Sequence, residues 1–351
     1  MRIAFAYSKG RPANWVNRAF GGTALGGSEA SMVHYAMAFA KLGHEVTIFT
    51  PGAPSRELGG VKWHNFKGIH GMEFDVAIAL RFPQALPSIL APLKALYCCD
   101  PEIPELPEFV GAGQVHLVIT ISQHQKERFQ AQHPIPGSLY MVSNAGINYS
   151  DYEGKDVEKV RGRCIYCSVL ARGLLHLAHI WPLIHKQVPW ATLHVTGGFE
   201  LWGMDVPIDE QPALQMLMTL EGVAYLGVLS REALIREQLE SEVLLLPGAT
   251  DSPEMCCISA LECAAAGNLL VVGAVGALPE RVWAYGSGKA VAFEGDKPHT
   301  ATFVHCAEEM LTYPPSVRAA RARHASESVR QYDYAVLAPQ WIARFEEALN
   351  G

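Results

Sequence analysis

The chain has 351 residues, more than one hydrophobic core usually serves, so two domains are expected. Its 28 basic and 35 acidic residues leave a formal charge of −7, and no Lys/Arg run appears that would track a phosphate backbone, which argues against a nucleic-acid binder. No apolar stretch reaches the roughly 20 residues of a bilayer-spanning helix, and MRIAFAYSKGR reads as a buried strand followed by charge, too short for a signal peptide.

A cytoplasmic location is therefore the expectation. The eight cysteines fit reduced core thiols: Cys98 and Cys99 are adjacent, as are Cys256 and Cys257, and Cys164 and Cys167 fall on opposite faces of one strand rather than forming a metal knuckle. His176 and His179 lie three apart on a helical pattern without a third ligand nearby, so no metal is expected there.

Taken in chain order, short apolar runs at Arg2–Tyr7, Glu45–Thr50, Val76–Leu80, Ala95–Cys99, Val115–Ile121 and Ser138–Val142 read as strands, with amphipathic helical patterns between several of them. Such alternation implies parallel strands covered on both faces, a doubly wound sheet. The polar stretch Asn144–Gly162 reads as a linker. A second series follows at Arg163–Ser168, Ala191–Thr196, Val223–Leu226, Val243–Leu246, Leu269–Gly273 and Ala290–Phe293, giving a second Rossmann-like domain. The final segment places Tyr334, Leu337, Trp341, Phe345 and Leu349 at helical spacing, an apolar stripe that must pack on something.

The segment TDSPEMCCISALECAAAGNLLVV, Thr250 to Val272, carries the strongest functional signal. Glu254 and Glu262 are eight residues apart at the start of what reads as one apolar helix, so they are about 12 Å apart along one side, within reach of a single ligand. Ser252 or Asp251 suits the cap and Pro253 the first turn. The N–H groups from Glu254 through Met255, Cys256 and Cys257 then face a bound phosphate, with Ile258 beside them. A solvated acid pair on a surface helix is the plainer alternative. The flanks argue against it, because EVLLLPGA is a buried strand entering a loop, and AAAGNLLVVGAVGALPE is a helix stop, a buried strand and a Gly-rich turn.

This segment resembles the Glu-x7-Glu signature of the retaining family-4 glycosyltransferases. The stretch GGTALGGSEASMVHYAMAFAKLGHEVTIFT is similar to that family's first Gly-rich loop, helix and second strand, and YCSVLARGLLHLAHIWPLIHKQVPWATLHVTGG to the start of its donor domain. The resemblance implies an α/β GT-B fold, two Rossmann-like doubly wound domains facing across a cleft. Residues 1–155 would form the acceptor-side domain, 156–330 the nucleotide-sugar domain, and 331–351 a helix crossing back to the first.

It also implies roles. Glu254 holds the sugar hydroxyls and Glu262 the ribose hydroxyls of a UDP- or GDP-linked donor. Arg172 neutralises the leaving diphosphate, helped by Gly26 and Gly27 in the first loop; for Ser28 and Glu29, helix capping is the plainer reading of the residues themselves. From their own place at strand ends, independent of the resemblance, Gly197 and Gly198 are expected to line the nucleotide cleft and backbone groups of Val243–Pro247 to face the base. Many relatives carry a second basic residue where Cys167 stands, and a His before Asp100 where Cys99 stands. Ser122 and Asn144–Asn148 match a strand-end serine and a hinge turn.

No Asp-x-Asp pair is present, so metal-independent transfer is expected, with no cofactor beyond the donor and with the acceptor and oligomeric state left open. A dehydrogenase is disfavoured: the loop after Tyr7 is long, and Thr50-Pro51 rather than an acid ends the second strand. A non-catalytic sugar-nucleotide binder, or another GT-B enzyme such as an epimerase or phosphorylase, remains as the alternative.

Overall fold

The structure, a computed structural model, describes residues 1–8, 25–155, 157–202, 204–283 and 288–351. The approach to the first loop, Gly21 to Ala24, lies outside them. The chain forms two compact units, residues 1–146 with 332–351, and residues 147–331.

Unit 1 is built on an eight-stranded sheet: β1 (Arg2–Ala6), β2 (Glu45–Thr50), β3 (Arg56–Leu58), β4 (Val61–Asn65), β5 (Val76–Leu80), β6 (Leu93–Tyr97), β7 (Leu117–Thr120) and β8 (Tyr140–Val142). Their order is β3-β4-β2-β1-β5-β6-β7-β8, parallel except for the β3/β4 pair. Helix α1 (Gly27–Lys41) joins β1 to β2, while α2 (Leu106–Gly111) and α3 (Gln123–Gln132) follow β6 and β7. Strand β5, VAIAL, is buried at every residue, as a strand covered on both faces must be. The β3–β4 hairpin was not anticipated. Its turn is Gly59-Gly60, with φ of 63° and 74°, the paired left-handed conformation of a tight two-residue hairpin loop.

Unit 2 holds a six-stranded parallel sheet of β9 (Arg163–Cys167), β10 (Thr192–Thr196), β11 (Val223–Gly227), β12 (Val243–Leu246), β13 (Leu269–Gly273) and β14 (Gly288–Val291), in the order β11-β10-β9-β12-β13-β14. A small antiparallel pair, β15 (Phe293–Glu294) and β16 (Lys297–Pro298), follows. The covering helices are α4 (Leu174–Gln187), α5 (Gln211–Met218), α6 (Arg231–Glu240), α7 (Ile258–Ala265), α8 (Leu278–Trp283), α9 (Thr300–Thr312) and α10 (Pro315–Ser328).

The chain then returns to unit 1, where α11 (Tyr334–Asn350) lays its apolar stripe on α1. Trp341 is fully buried, stacks on Tyr35 at 4.2 Å between ring centroids, and donates from its indole to the Ser143 hydroxyl at 2.7 Å.

The unit boundary falls at Gly146 rather than after Lys155. Residues 147–155 belong with unit 2 because their polar side chains are anchored there: the Tyr149 hydroxyl pairs with Ser326 at 2.9 Å, Asp151 with Arg231 at 2.8 Å, and Tyr152 donates to Gln238 at 2.7 Å.

All eight cysteines are free, and all but Cys99 are buried. Among the described residues no helix is long and apolar enough to cross a membrane, and no group of His, Cys, Asp and Glu is arranged to hold a metal ion.

Candidate functional site

In an open parallel sheet, ligands bind beyond the carboxyl ends of the strands where the winding direction reverses. In unit 2 that point lies between β9 and β12. Three of the residues converging there are Ser168, just past β9, Arg172, four residues on, and Glu254, in the loop after β12. Arg172 Nη1 donates to the Ser252 carbonyl at 2.8 Å, its Nε lies 3.8 Å from Glu254 Oε1, and the Ser168 hydroxyl donates to the same carboxylate oxygen at 3.3 Å. The two charged side chains are 23% and 14% exposed, accessible to a ligand yet shielded enough for their charges to matter.

Glu254 does not lie on the helix. Helix α7 begins only at Ile258, preceded by Cys257 at φ 64°, a left-handed conformation uncommon for a side chain of any size. Tertiary structure overrides local helix preference here. The Glu254 carbonyl, which would accept from Ile258 in a helix, accepts instead from Ala277 N–H at 2.7 Å, and Gly276 packs so tightly on the Glu254 backbone that an added Cβ would overlap it. Met255, Cys256 and Cys257 are therefore buried loop residues rather than a helical first turn. None of the four positions expected to present phosphate-facing N–H groups is helical; the helix begins at Ile258, and its first turn closes on the Cys257 carbonyl.

Glu262 does lie on α7, but it is engaged. It is 8% exposed, its Oε1 accepts from Arg231 Nη1 at 2.6 Å, and its Oε2 from Gln238 Nε2 at 3.1 Å. The next residue, Cys263, places its thiol 3.6 Å from that of Cys167, at the end of β9, so this cluster adjoins Ser168. Gly197, at φ 114°, sits so close to the Ser168 carbonyl that no side chain fits. Gly198 follows it, packed against the Glu200 carboxylate.

In unit 1 the winding reverses between β1 and β5, and a polar cluster lies at that point too. Gly26 is the N-cap of α1 without a side-chain cap, and Gly27 is its first residue. Ser28 and Glu29 do not act as caps. The Ser28 hydroxyl accepts from Arg81 Nη2 at 2.7 Å, Arg81 Nη1 lies 3.5 Å from Asp100, and Glu29 is 6% exposed. Arg81 Nε and Glu29 Oε2 are buried without a hydrogen-bond partner among the described residues.

Arg81 directly follows β5 at φ 65°, a costly conformation for a long side chain. Burial pushes the Tyr7 hydroxyl up, with Glu29 adding to the effect, and pushes the Cys99 thiol up to about 12 against the pull of Arg81. Cys99 is thus a neutral thiol where a histidine was the alternative. Ser122 is buried and caps α3, accepting from Gln125 N–H at 2.9 Å.

No family model and no curated protein matches the chain. Solved structures do. A sucrose-phosphate synthase from Thermosynechococcus elongatus gives a TM-score of 0.78 at 13% identity, over 99% of this chain and 100% of that one. The fold is GT-B. A glycosyltransferase from Rickettsia africae gives 0.74 at 12% identity, over 100% and 99% of the two chains, and an Anabaena protein solved in complex with UDP and glucose gives 0.65 at 15%, over 99% and 100%.

Within this GT-B chain the structure brings together Arg172, Glu254 and Gly197 from the sequence reading. It places Glu262 in a neighbouring buried network, and Gly26 and Gly27 in unit 1. Ser168, Arg231, Gln238 and Arg81 were not foreseen. Arg81 had a usable signal, since it follows the buried strand VAIAL just as Arg172 follows the RCIYC strand. Arg231 had none, because its partners Asp151 and Glu262 lie 80 and 31 residues away in sequence.

Proposed function

We propose that this chain is a retaining glycosyltransferase that moves a sugar from a UDP- or GDP-linked donor to a hydroxyl acceptor without a metal ion. The observation that carries the reading is the Ser168–Arg172–Glu254 cluster at the winding reversal of unit 2, in a chain of GT-B fold. A diphosphate leaving group needs fixed positive charge, and a sugar developing charge at its anomeric carbon needs its hydroxyls held. Arg172 is a five-donor guanidinium. Its Nη1 is held by Ser252, and its contact with Glu254 is long at 3.8 Å, so a diphosphate competes for it and releases Glu254 towards the sugar. The solved neighbour that carries UDP and glucose supports a nucleotide-sugar ligand. Glu262 serves the ribose in this reading, and unit 1, with Arg81 and Asp100, faces the acceptor. Retention rests on the resemblance of the Glu-x7-Glu segment.

One observation favours a second reading, a sugar-nucleotide binder without turnover. Cys167, buried at the end of β9, brings no charge where many relatives have a basic residue, which leaves Arg172 as the only side-chain cation assigned to the diphosphate. A thermal-shift screen of UDP, GDP and their sugars, with and without EDTA, followed by turnover of the labelled sugar that binds, tests both. Stabilisation that survives EDTA, with release of free nucleotide, is the expected result. Binding without turnover selects the second reading, strict metal dependence removes the metal-free mechanism, and no stabilisation by any nucleotide overturns both.

A further inference from the structure

Glu262 is one corner of a closed ring of hydrogen bonds. Arg231 Nη1 donates to Glu262 Oε1 at 2.6 Å, and Arg231 Nη2 to the Tyr152 hydroxyl at 3.3 Å. The Tyr152 hydroxyl donates to Gln238 Oε1 at 2.7 Å, and Gln238 Nε2 returns to Glu262 Oε2 at 3.1 Å. Each bond fixes the next: Gln238 uses its oxygen on Tyr152 and its nitrogen on Glu262, so the amide has one orientation. Asp151 holds the far side of the guanidinium at 2.8 Å. Arg231 and Gln238 are seven residues apart on α6, two turns along one face, so a single helix presents both donors to the carboxylate.

A carboxylate has about four lone-pair sites, two on each oxygen. The ring uses one on each, and the side chain of Glu262 keeps 11% exposure. A lone carboxylate so deeply buried would turn to find a partner. Burial opposes the charge of Arg231, but Glu262, Tyr152 and Asp151 outweigh it and raise its pKa, so the guanidinium stays charged.

We propose that Arg231 is a positioning residue for nucleotide recognition: it holds the Glu262 carboxylate turned so that its remaining lone pairs accept from the ribose hydroxyls of the donor. This rests on the reading that Glu262 serves the ribose. Arg231 itself does not touch the ligand, and Gln238 and Tyr152 close the ring that fixes its angle.

The test compares two ligands on the full chain, UDP and 2′,3′-dideoxy-UDP, or the guanine pair if GDP is the nucleotide that stabilises the wild-type protein. Dissociation constants are measured by calorimetry for wild type, Arg231→Gln and Arg231→Lys. In the wild type the ribose hydroxyls are expected to strengthen binding by roughly tenfold or more, as bonds to a charged group do. In Arg231→Gln that ratio collapses towards one, and in Arg231→Lys, which keeps the charge but not the fork, it recovers in part.

A merely structural role weakens both ligands equally and leaves the ratio intact, and that result overturns the proposal. So does an unchanged ratio with unchanged affinities. If Arg231→Gln is too unstable to assay, Arg231→Lys carries the test, and a full wild-type ratio in it counts against a forked contact. A wild-type protein that binds UDP but shows no preference for ribose hydroxyls sinks this inference alone, whereas one that binds no nucleotide sinks the glycosyltransferase reading and this inference with it.

Discussion

Arg172 and Glu254 form a loose pair, Nε to Oε1 at 3.8 Å, in which the guanidinium is oriented by the Ser252 carbonyl rather than by the carboxylate. The coupling makes a double substitution informative. If Arg172 serves a diphosphate as proposed, Arg172→Ala is expected to weaken UDP binding by roughly 10- to 100-fold and uridine binding far less, because a charged hydrogen bond is lost and Glu254 is left without its cation. On the same reading Glu254→Gln should slow sugar transfer with UDP binding nearly intact, since a sugar contact of that kind strengthens as charge develops. Arg172→Ala/Glu254→Gln should recover part of the lost UDP affinity. Calorimetry on the four proteins measures this, and strictly additive losses would show that the two side chains act independently.

Lys159 provides a pH-dependent prediction. Its ammonium group reaches the Ser241 carbonyl at 2.5 Å, the Ala266 carbonyl at 2.9 Å, the Leu239 carbonyl at 3.1 Å and Asn268 Oδ1 at 2.8 Å. Burial pulls its pKa down from 10.5 to about 7. Between those values the unfolded chain holds a proton that the folded chain has released, so this group makes the fold more stable as pH rises from about 7 to about 10.5, with a limiting slope of about 1.4 kcal/mol per pH unit. Lys159→Met lacks this term and leaves four oxygens without their donor. Denaturant melts at pH 7 and pH 9 are expected to show a larger stability gap between wild type and variant at pH 9. A gap that is the same at pH 7 and pH 9 would mean the ammonium stays charged in the fold.

Cys99 should be chemically quiet. A thiol raised to about 12 has roughly a hundredth or less of the thiolate of an ordinary cysteine at pH 8, so iodoacetamide should label Cys99 in the native protein far more slowly than in the denatured chain. Peptide mapping after timed labelling measures the rate. Rapid native labelling would reveal a reactive thiolate beside Arg81 and reopen a chemical role for it.

Trp341→Ala removes a fully buried indole and its bond to Ser143. The expected cost is about 3–5 kcal/mol. It should fall on unit 1 alone, so a two-step denaturation curve would lose stability in one step and keep the other. A single transition that shifts as a whole would mean that the units unfold as one.

Much of the fold was legible because each strand of a parallel sheet is covered on both faces and reads as a short continuous apolar run, as VAIAL and VLLL do. The β3–β4 hairpin escaped because RELGGVKWHN lies at a sheet edge, where only part of each strand is buried and the apolar run disappears, although its Gly-Gly turn was there to be read. The start of α7 was misplaced for a different reason. Nothing between Thr250 and Cys257 forbids helix, and the residue that draws the Glu254 carbonyl away is Ala277, more than twenty positions downstream. In the site, Arg172 and Glu254 carried local signals, whereas the partners that give Glu262 its orientation come from α6 and from the segment after Gly146, which only the folded chain brings together.

Since Glu254 is held by Ala277 and Gly276 while Glu262 rides on α7, the two acids are mechanically separate parts. On one continuous helix, inserting a residue between them would swing one acid by about 100° relative to the other. Here the buried stretch from Met255 to Cys257 is a separate connector ahead of the helix, with Glu262 in its ring and Glu254 on its own anchor. The eight-residue spacing of the pair is thus set by the chain path through a short connector, and the position of Glu254 is fixed separately from that of Glu262.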